Sequence, residues 1–139
     1  MSVEGQQLIA DCWECDAGMT NADGARRAIA AAVDAMGATL IDLRLHEFDS
    51  GGYTAFALLS ESHLAIHTWP EHAYVAIDTF TCGVHVRPAA GIEVLKAFFA
   101  PRQFEVRQVA RGIHPGQRVE SADDSPAKPV SAKAAGCDE

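Results

Sequence analysis

The stretch from Tyr53 to Cys82 limits the possible folds most. It is two apolar, β-rich runs separated by Pro70 and closed by Gly83. Proline has no amide hydrogen to give to a ladder, so the first run, Tyr53 to Trp69, must stop at Pro70. Glu71 to Ala73 then turn the chain, and Tyr74 to Cys82 (YVAIDTFTC) return beside it as a hairpin.

The flanking segments extend this hairpin into a layered fold. Thr20 or Asn21 offers a side-chain oxygen to cap a helix running to about Met36, in which Ala25, Ile29, Ala32, Val33 and Met36 recur at helical spacing before Gly37 stops it. From Thr39 the period changes to two. Ile41, Leu43 and Leu45 alternate with Asp42, Arg44 and His46, which predicts a strand with the first set buried, closed by Phe48. A second helix, about Ala89 to Phe99, is entered through Pro88, and strands are expected over Phe104 to Val109 and, as a short edge, over Gln7 to Cys12. The order β-α-β-β-β-α-β, joined by hairpins rather than repeated crossovers, predicts an α+β fold, a two-layer sandwich of an antiparallel sheet with helices packed on one face. The domain spans residues 1–112. Residues 113–139, whose branched aliphatics are Ile113, Val119 and Val130, are too polar to bury a core and read as a disordered tail.

Charge narrows the partners. Among 139 residues, 19 acidic side chains against 11 basic ones give a formal net charge of -8, which repels phosphate backbones and anionic lipid. Nucleic acid and membrane are therefore not expected as partners, while a small cationic ligand is easily accommodated. The amino end, MSVEGQQLIA, lacks the basic charge and apolar length of a signal peptide, and no apolar run is long enough to span a bilayer. A cytoplasmic chain is expected, with Cys12, Cys15, Cys82 and Cys137 reduced. Cys12-Trp13-Glu14-Cys15 has the gap of redox and zinc motifs, but no second pair completes four ligands and no helix starts there, so two free thiols near a strand end are expected.

The polar triplet Glu61-Ser62-His63 interrupts an apolar strand-like run. It marks a bulge or strand break, or else a strained backbone that brings the Ser62 hydroxyl onto the preceding carbonyl carbon as an internal nucleophile, with an imidazole moving protons. His63 and His67 are four apart, which in a strand separates them by about 13 Å, too far to share a metal ion.

The residues Glu61-Ser62-His63-Leu64-Ala65-Ile66-His67-Thr68-Trp69-Pro70-Glu71, followed by Asp78-Thr79-Phe80-Thr81-Cys82-Gly83, closely resemble the prokaryotic S-adenosylmethionine decarboxylase family, and a looser likeness runs from about Gln7 to Gly112. The resemblance implies a self-processing zymogen, cleaved by serinolysis at Glu61-Ser62 into a β chain of residues 1–61 and an α chain of residues 62–139. Ser62 would become an amino-terminal pyruvoyl group, a covalent cofactor that forms a Schiff base with substrate and serves as electron sink. By the same resemblance His67 is the processing acid/base, Thr54 supports processing, and Cys82 is the proton donor. Phe48 would stack on adenine, and Trp69 and Glu71 would complete the substrate site. The implied reaction converts S-adenosylmethionine to its aminopropyl product and carbon dioxide for spermidine synthesis, in a homo-oligomer of at least two αβ units.

The sequence departs from the family at Val84, where an acidic residue is common, at Thr54, where serine is usual, and at His72-Ala73, where an aromatic and glycine are typical. Relatives sharing the cleavage signature act on simpler amino acids, so arginine or ornithine is the alternative substrate. Outside the enzyme class the competing readings are a non-catalytic α+β binding module and a small redox or metal protein built on Cys12 and Cys15.

Overall fold

A computed structural model describes residues 5–117. The expected tail lies mostly outside these residues; its described beginning includes a short 3-10 turn at Pro115–Gln117. The strands are β1 (Gly5–Cys15), β2 (Leu40–Glu47), β3 (Tyr53–Leu59), β4 (Ser62–Trp69), β5 (Tyr74–Cys82) and β6 (Pro101–Arg111). The helices are α1 (Ala22–Met36) and α2 (Pro88–Phe99). All strands lie in one sheet of order β2-β3-β4-β5-β1-β6, with every neighbouring pair antiparallel.

Local chemistry sets the element ends. Asn21 caps α1 by accepting from the Gly24 amide at 2.9 Å, and Gly37, at φ 71, closes it in the left-handed region that glycine occupies without cost. Pro88 opens α2, where its missing amide hydrogen is not needed. The helices approach closely at Gly91, where a Cβ would stand 2.5 Å from the Met36 side chain.

Both helices cover one face of the sheet. Leu8, Ala10 and Cys12 of β1, Ala55 and Ala57 of β3, Leu64 and Ile66 of β4, and Val75 and Ile77 of β5 are buried with Ile29, Val33, Met36, Ile92, Leu95 and Phe99. The alternate residues of these strands face the other way, where no helix lies among the described residues: Phe56 and Leu58, on either side of buried Ala57, are each 42% exposed.

Three expectations need correction. The run from Tyr53 to Trp69, expected as one strand of five, is two antiparallel strands, β3 and β4, because the chain reverses at Ser60 and Glu61, and the sheet has six strands. The first strand runs 11 residues and is central, paired with both β5 and β6, because the chain returns to it after α2 rather than extending the far edge. Ile41 is 61% exposed, since the register of β2 shifts between Leu40 and Asp42 and takes it out of phase with Leu43 and Leu45.

The core also holds ionisable groups. Burial first, and then the nearby Cys15 and Asp11, push the Cys12 thiol from 9.0 up to about 12, and burial with Asp16 pushes Cys15 to about 11. Burial likewise raises the Tyr53 hydroxyl, and it raises the Tyr74 hydroxyl together with the Tyr74 hydrogen bond to Asp11. These groups are neutral when protonated, so the unfolded chain releases protons first as pH rises. Their stabilisation is therefore whole below about pH 9 and is lost as pH climbs towards about 12. Thermal melts from pH 8 to 11 are expected to show a falling Tm, with a shallower fall in Cys12→Ala; a flat profile would contradict this.

Candidate active site

The sheet collects one group of polar residues at the β3–β4 turn. β3 and β4 are joined by Ser60 and Glu61 alone, and this turn is pinned from both sides. On one side the Ser60 amide donates to the Thr39 carbonyl at 3.0 Å, while the Thr39 amide donates to Glu61 Oε2 at 3.1 Å. On the other, the Cys82 amide donates to the Glu61 carbonyl at 3.1 Å, and Cys82 Sγ–H reaches the same oxygen at 3.6 Å. His85 Nε2 stands 3.9 Å from Glu61 Oε1.

Held this way, Ser62 takes φ 126. For a residue with a Cβ this conformation costs about 1–3 kcal/mol and persists only where the surroundings enforce it. The strained residue directly follows the carbonyl that Cys82 polarises. Two backbone-aimed donors on one carbonyl oxygen are the arrangement that stabilises negative charge when a nucleophile adds to the carbon. Ser62 Oγ lies 3.2 Å from His63 Nδ1.

A second group sits at the opposite end of the same strands. Thr54 of β3 and His67 of β4 are register partners, and their side chains meet, Oγ1 to Nδ1, at 3.0 Å. The His67 ring lies 6.1 Å from that of Trp69, which stacks on Tyr74 at 5.3 Å, and Tyr74 stacks on Trp13 at 4.1 Å. Phe48 follows β2 in a turn closed by its amide on the Gly52 carbonyl, and it meets His46 edge to face. Glu71 is exposed in the 3-10 turn Pro70–His72, beyond the end of β4.

The residues singled out in the sequence thus fall into two clusters. Glu61, Ser62 and Cys82 are together. Thr54 and His67 are together, with Trp69 beside them and Phe48 and Glu71 on the neighbouring turns. Ser62 and His67 lie five residue steps apart along β4, about 16 Å of extended chain. One chain does not bring the two clusters into contact.

Three neighbours of the Ser62 cluster were not legible as such: Asp78 and Thr39, which meet it only through strand pairing and the turn, and His85. His63 was visible beside Ser62, but its partner Asp78, at 3.1 Å from Nε2, lies across β5. Cys12 and Cys15 are buried with raised thiols, a setting that disfavours the thiolate needed for redox or metal chemistry. Among the described residues, no helix is long and apolar enough to cross a membrane.

The comparisons with known proteins bear on this geometry. Residues 6–112 match the S-adenosylmethionine decarboxylase family. The S-adenosylmethionine decarboxylase proenzyme of Methanococcus aeolicus is 42% identical over 109 residues, covering 78% of this chain and 93% of that protein. The proenzyme of the same description from Thermomicrobium roseum is 44% identical over 110 residues, covering 78% of this chain and 94% of that one. The crystal structure of the adenosylmethionine decarboxylase from Aquifex aeolicus VF5 matches with a TM-score of 0.73 at 25% identity, over 86% of this chain and 100% of that one. A family match over most of the chain, relatives above two-fifths identity and a shared fold agree, and the chain belongs to the S-adenosylmethionine decarboxylase family.

Proposed function

We propose that this chain is the proenzyme of a pyruvoyl-dependent S-adenosylmethionine decarboxylase that cleaves itself between Glu61 and Ser62. The observation that carries the reading is Ser62 at φ 126, next to a Glu61 carbonyl that already accepts from Cys82. These residues fit a group made from a serine in place: backbone strain at the residue that follows the bond to be broken, a hydroxyl on that residue's side chain, and donors on the oxygen that gains charge.

Processing begins when Ser62 Oγ adds to the Glu61 carbonyl carbon. The developing oxyanion lies against the Cys82 amide. Collapse breaks the bond to the Ser62 nitrogen, which takes a proton, and leaves Glu61 esterified to the Ser62 side chain. His67 then removes the α-proton of residue 62, the Cβ–O bond breaks, and Glu61 departs as the carboxyl end of the 1–61 β chain. Thr54 holds His67 for this task through the 3.0 Å contact. The dehydroalanine left behind takes up water and loses ammonia, which places a ketone at the head of the 62–139 α chain.

The pyruvoyl carbonyl supplies the electron sink that decarboxylation of an amino acid requires. Cys82 returns a proton to the carbon that has lost carbon dioxide. Phe48 stacks on the adenine, and Glu71 with Trp69 beside it receives the ribose, while the exposed aromatic surface suits a sulfonium cation.

These roles require two chains, because the His67 cluster lies about 16 Å from Ser62 within one. The uncovered sheet face supports the same reading. Phe56 and Leu58 are each 42% exposed there, and Trp13 and Val109 each 46%, on a face that carries Thr54, His67 and Trp69 at one end and His63, the neighbour of Ser62, at the other. A second copy laid on this face by a two-fold axis brings the Ser62 cluster of each chain to the His67 cluster of its partner, giving two equivalent sites. The reaction is assigned to the cytoplasm on the acidic composition and the thiol content.

Purified protein is expected to release carbon dioxide from S-adenosylmethionine, with arginine and ornithine unreactive; turnover of either of those instead would reassign the substrate. Cys82→Ala is expected to lose activity progressively during turnover, as misplaced protonation converts the pyruvoyl end to alanine, and durable wild-type activity would remove the assigned role.

The two-chain site has its own test. Ser62→Ala and His67→Ala chains are each expected to remain uncleaved or stalled alone, whereas in co-expressed hybrids the His67→Ala chain, next to an intact partner His67, is cleaved. Phe56→Glu is expected to shift the protein to monomer by light scattering. Hybrids that stay uncleaved, or a cleaving monomer, would contradict the shared site.

A further inference from the structure

We propose that His63, held by Asp78, is the base that starts serinolysis within a single chain, a proposal that rests on the self-processing reading above. His63 Nε2 lies 3.1 Å from Asp78 Oδ2, and the same oxygen accepts from Gln7 Nε2 at 3.3 Å. The Gln7 amide is itself oriented, because its Oε1 accepts from Arg111 at 2.9 Å, and Arg111 lies over the Phe80 ring at 4.2 Å. A polar chain therefore crosses four strands, from β6 through β1 and β5 to β4, and ends on Ser62.

This arrangement fixes the tautomer. An ionised carboxylate only accepts, so His63 must carry its proton on Nε2. Nδ1 is then left as an acceptor, 3.2 Å from Ser62 Oγ. The hydroxyl proton of Ser62 points to it. The ring has little freedom to turn away, since it is stacked on Phe56 at 5.5 Å and flanked by Phe80 at 6.4 Å, and Thr79 Oγ1 donates to the His63 carbonyl at 3.1 Å.

The step balances without an outside reagent. As Ser62 Oγ bonds to the Glu61 carbon, its proton passes to His63 Nδ1, and the imidazolium is stabilised by Asp78. When the bond from Glu61 to the Ser62 nitrogen breaks, the same proton passes to that nitrogen, and His63 is neutral again. His63 touches the reacting oxygen, whereas Asp78 is a positioning residue. Serinolysis and the later elimination then use different histidines: His63 of the same chain for the first, and His67 of the partner for the second.

The test follows newly synthesised full-length chain over time, with and without hydroxylamine, which splits an ester and spares an amide. His63→Ala is expected to hold the amide about 10²–10⁴ times longer than wild type, the usual worth of a positioned acid/base. Its full-length chain is expected to resist hydroxylamine, whereas that of His67→Ala is split by it. Asp78→Asn is expected to slow amide loss at least about tenfold with an unchanged melting temperature, because its amide donates to Nε2 and moves the ring proton onto Nδ1. A folded His63→Ala that loses the amide at the wild-type rate, or accumulates a hydroxylamine-sensitive ester, would overturn the proposal. If His63→Ala does not fold, a folded Asp78→Asn processing at the wild-type rate would do the same. A wild-type chain that keeps its Glu61–Ser62 amide would overturn the self-processing reading itself, and this proposal with it.

Discussion

The pinning of the two-residue turn between β3 and β4 is the constraint on which the site depends. Ser60 and Glu61 must connect antiparallel strands while Glu61 satisfies Thr39 with its carboxylate and Cys82 with its carbonyl. The ladder from β4 to β5 begins at Ser62, paired with Thr81, so Ser62 cannot relax without giving up the start of that register. The strain of about 1–3 kcal/mol at φ 126 is thus offset by hydrogen bonds on both sides, and it is concentrated at one residue, directly after the Glu61 carbonyl. A glycine at 62 would relieve the conformation and remove the hydroxyl at once.

The one-sided sheet supplies the second constraint. Helices α1 and α2 bury one face, and the same period-two alternation sends Thr54, His67 and Trp69 to the other. An antiparallel strand pair has two ends, and this chain puts the Glu61–Ser62–Cys82 group at one and the Thr54–His67 pair at the other. Under the proposed pairing, the separation is what makes two complete sites possible, because a two-fold axis exchanges the ends.

Much of the fold was legible because local chemistry decides it. The Asn21 cap, the Gly37 stop, Pro88 at the start of α2 and Pro70 at the end of β4 each act on their own neighbours. The misses concern pairing. The centrality of β1 depends on β6 returning beside it, and the exposure of Ile41 on a register shift in β2, neither of which a periodicity reports. In the site, Glu61, Ser62, His67 and Cys82 drew notice through their motif, and the polar interruption of an apolar run was itself a signal of strain. The Asp78 contact was not legible, because it joins residues fifteen apart through a diagonal across β4 and β5. The division of the singled-out residues into two clusters needed the strand direction as well.

Intact mass spectrometry of the purified wild-type protein tests the chemistry of Ser62 most directly. The expected result is two polypeptides, one ending at Glu61 and one beginning at residue 62, the latter without a free amino group and reactive towards a carbonyl reagent. A single chain with the Glu61–Ser62 bond unbroken, or a residue-62 end that still carries its amine, would contradict it.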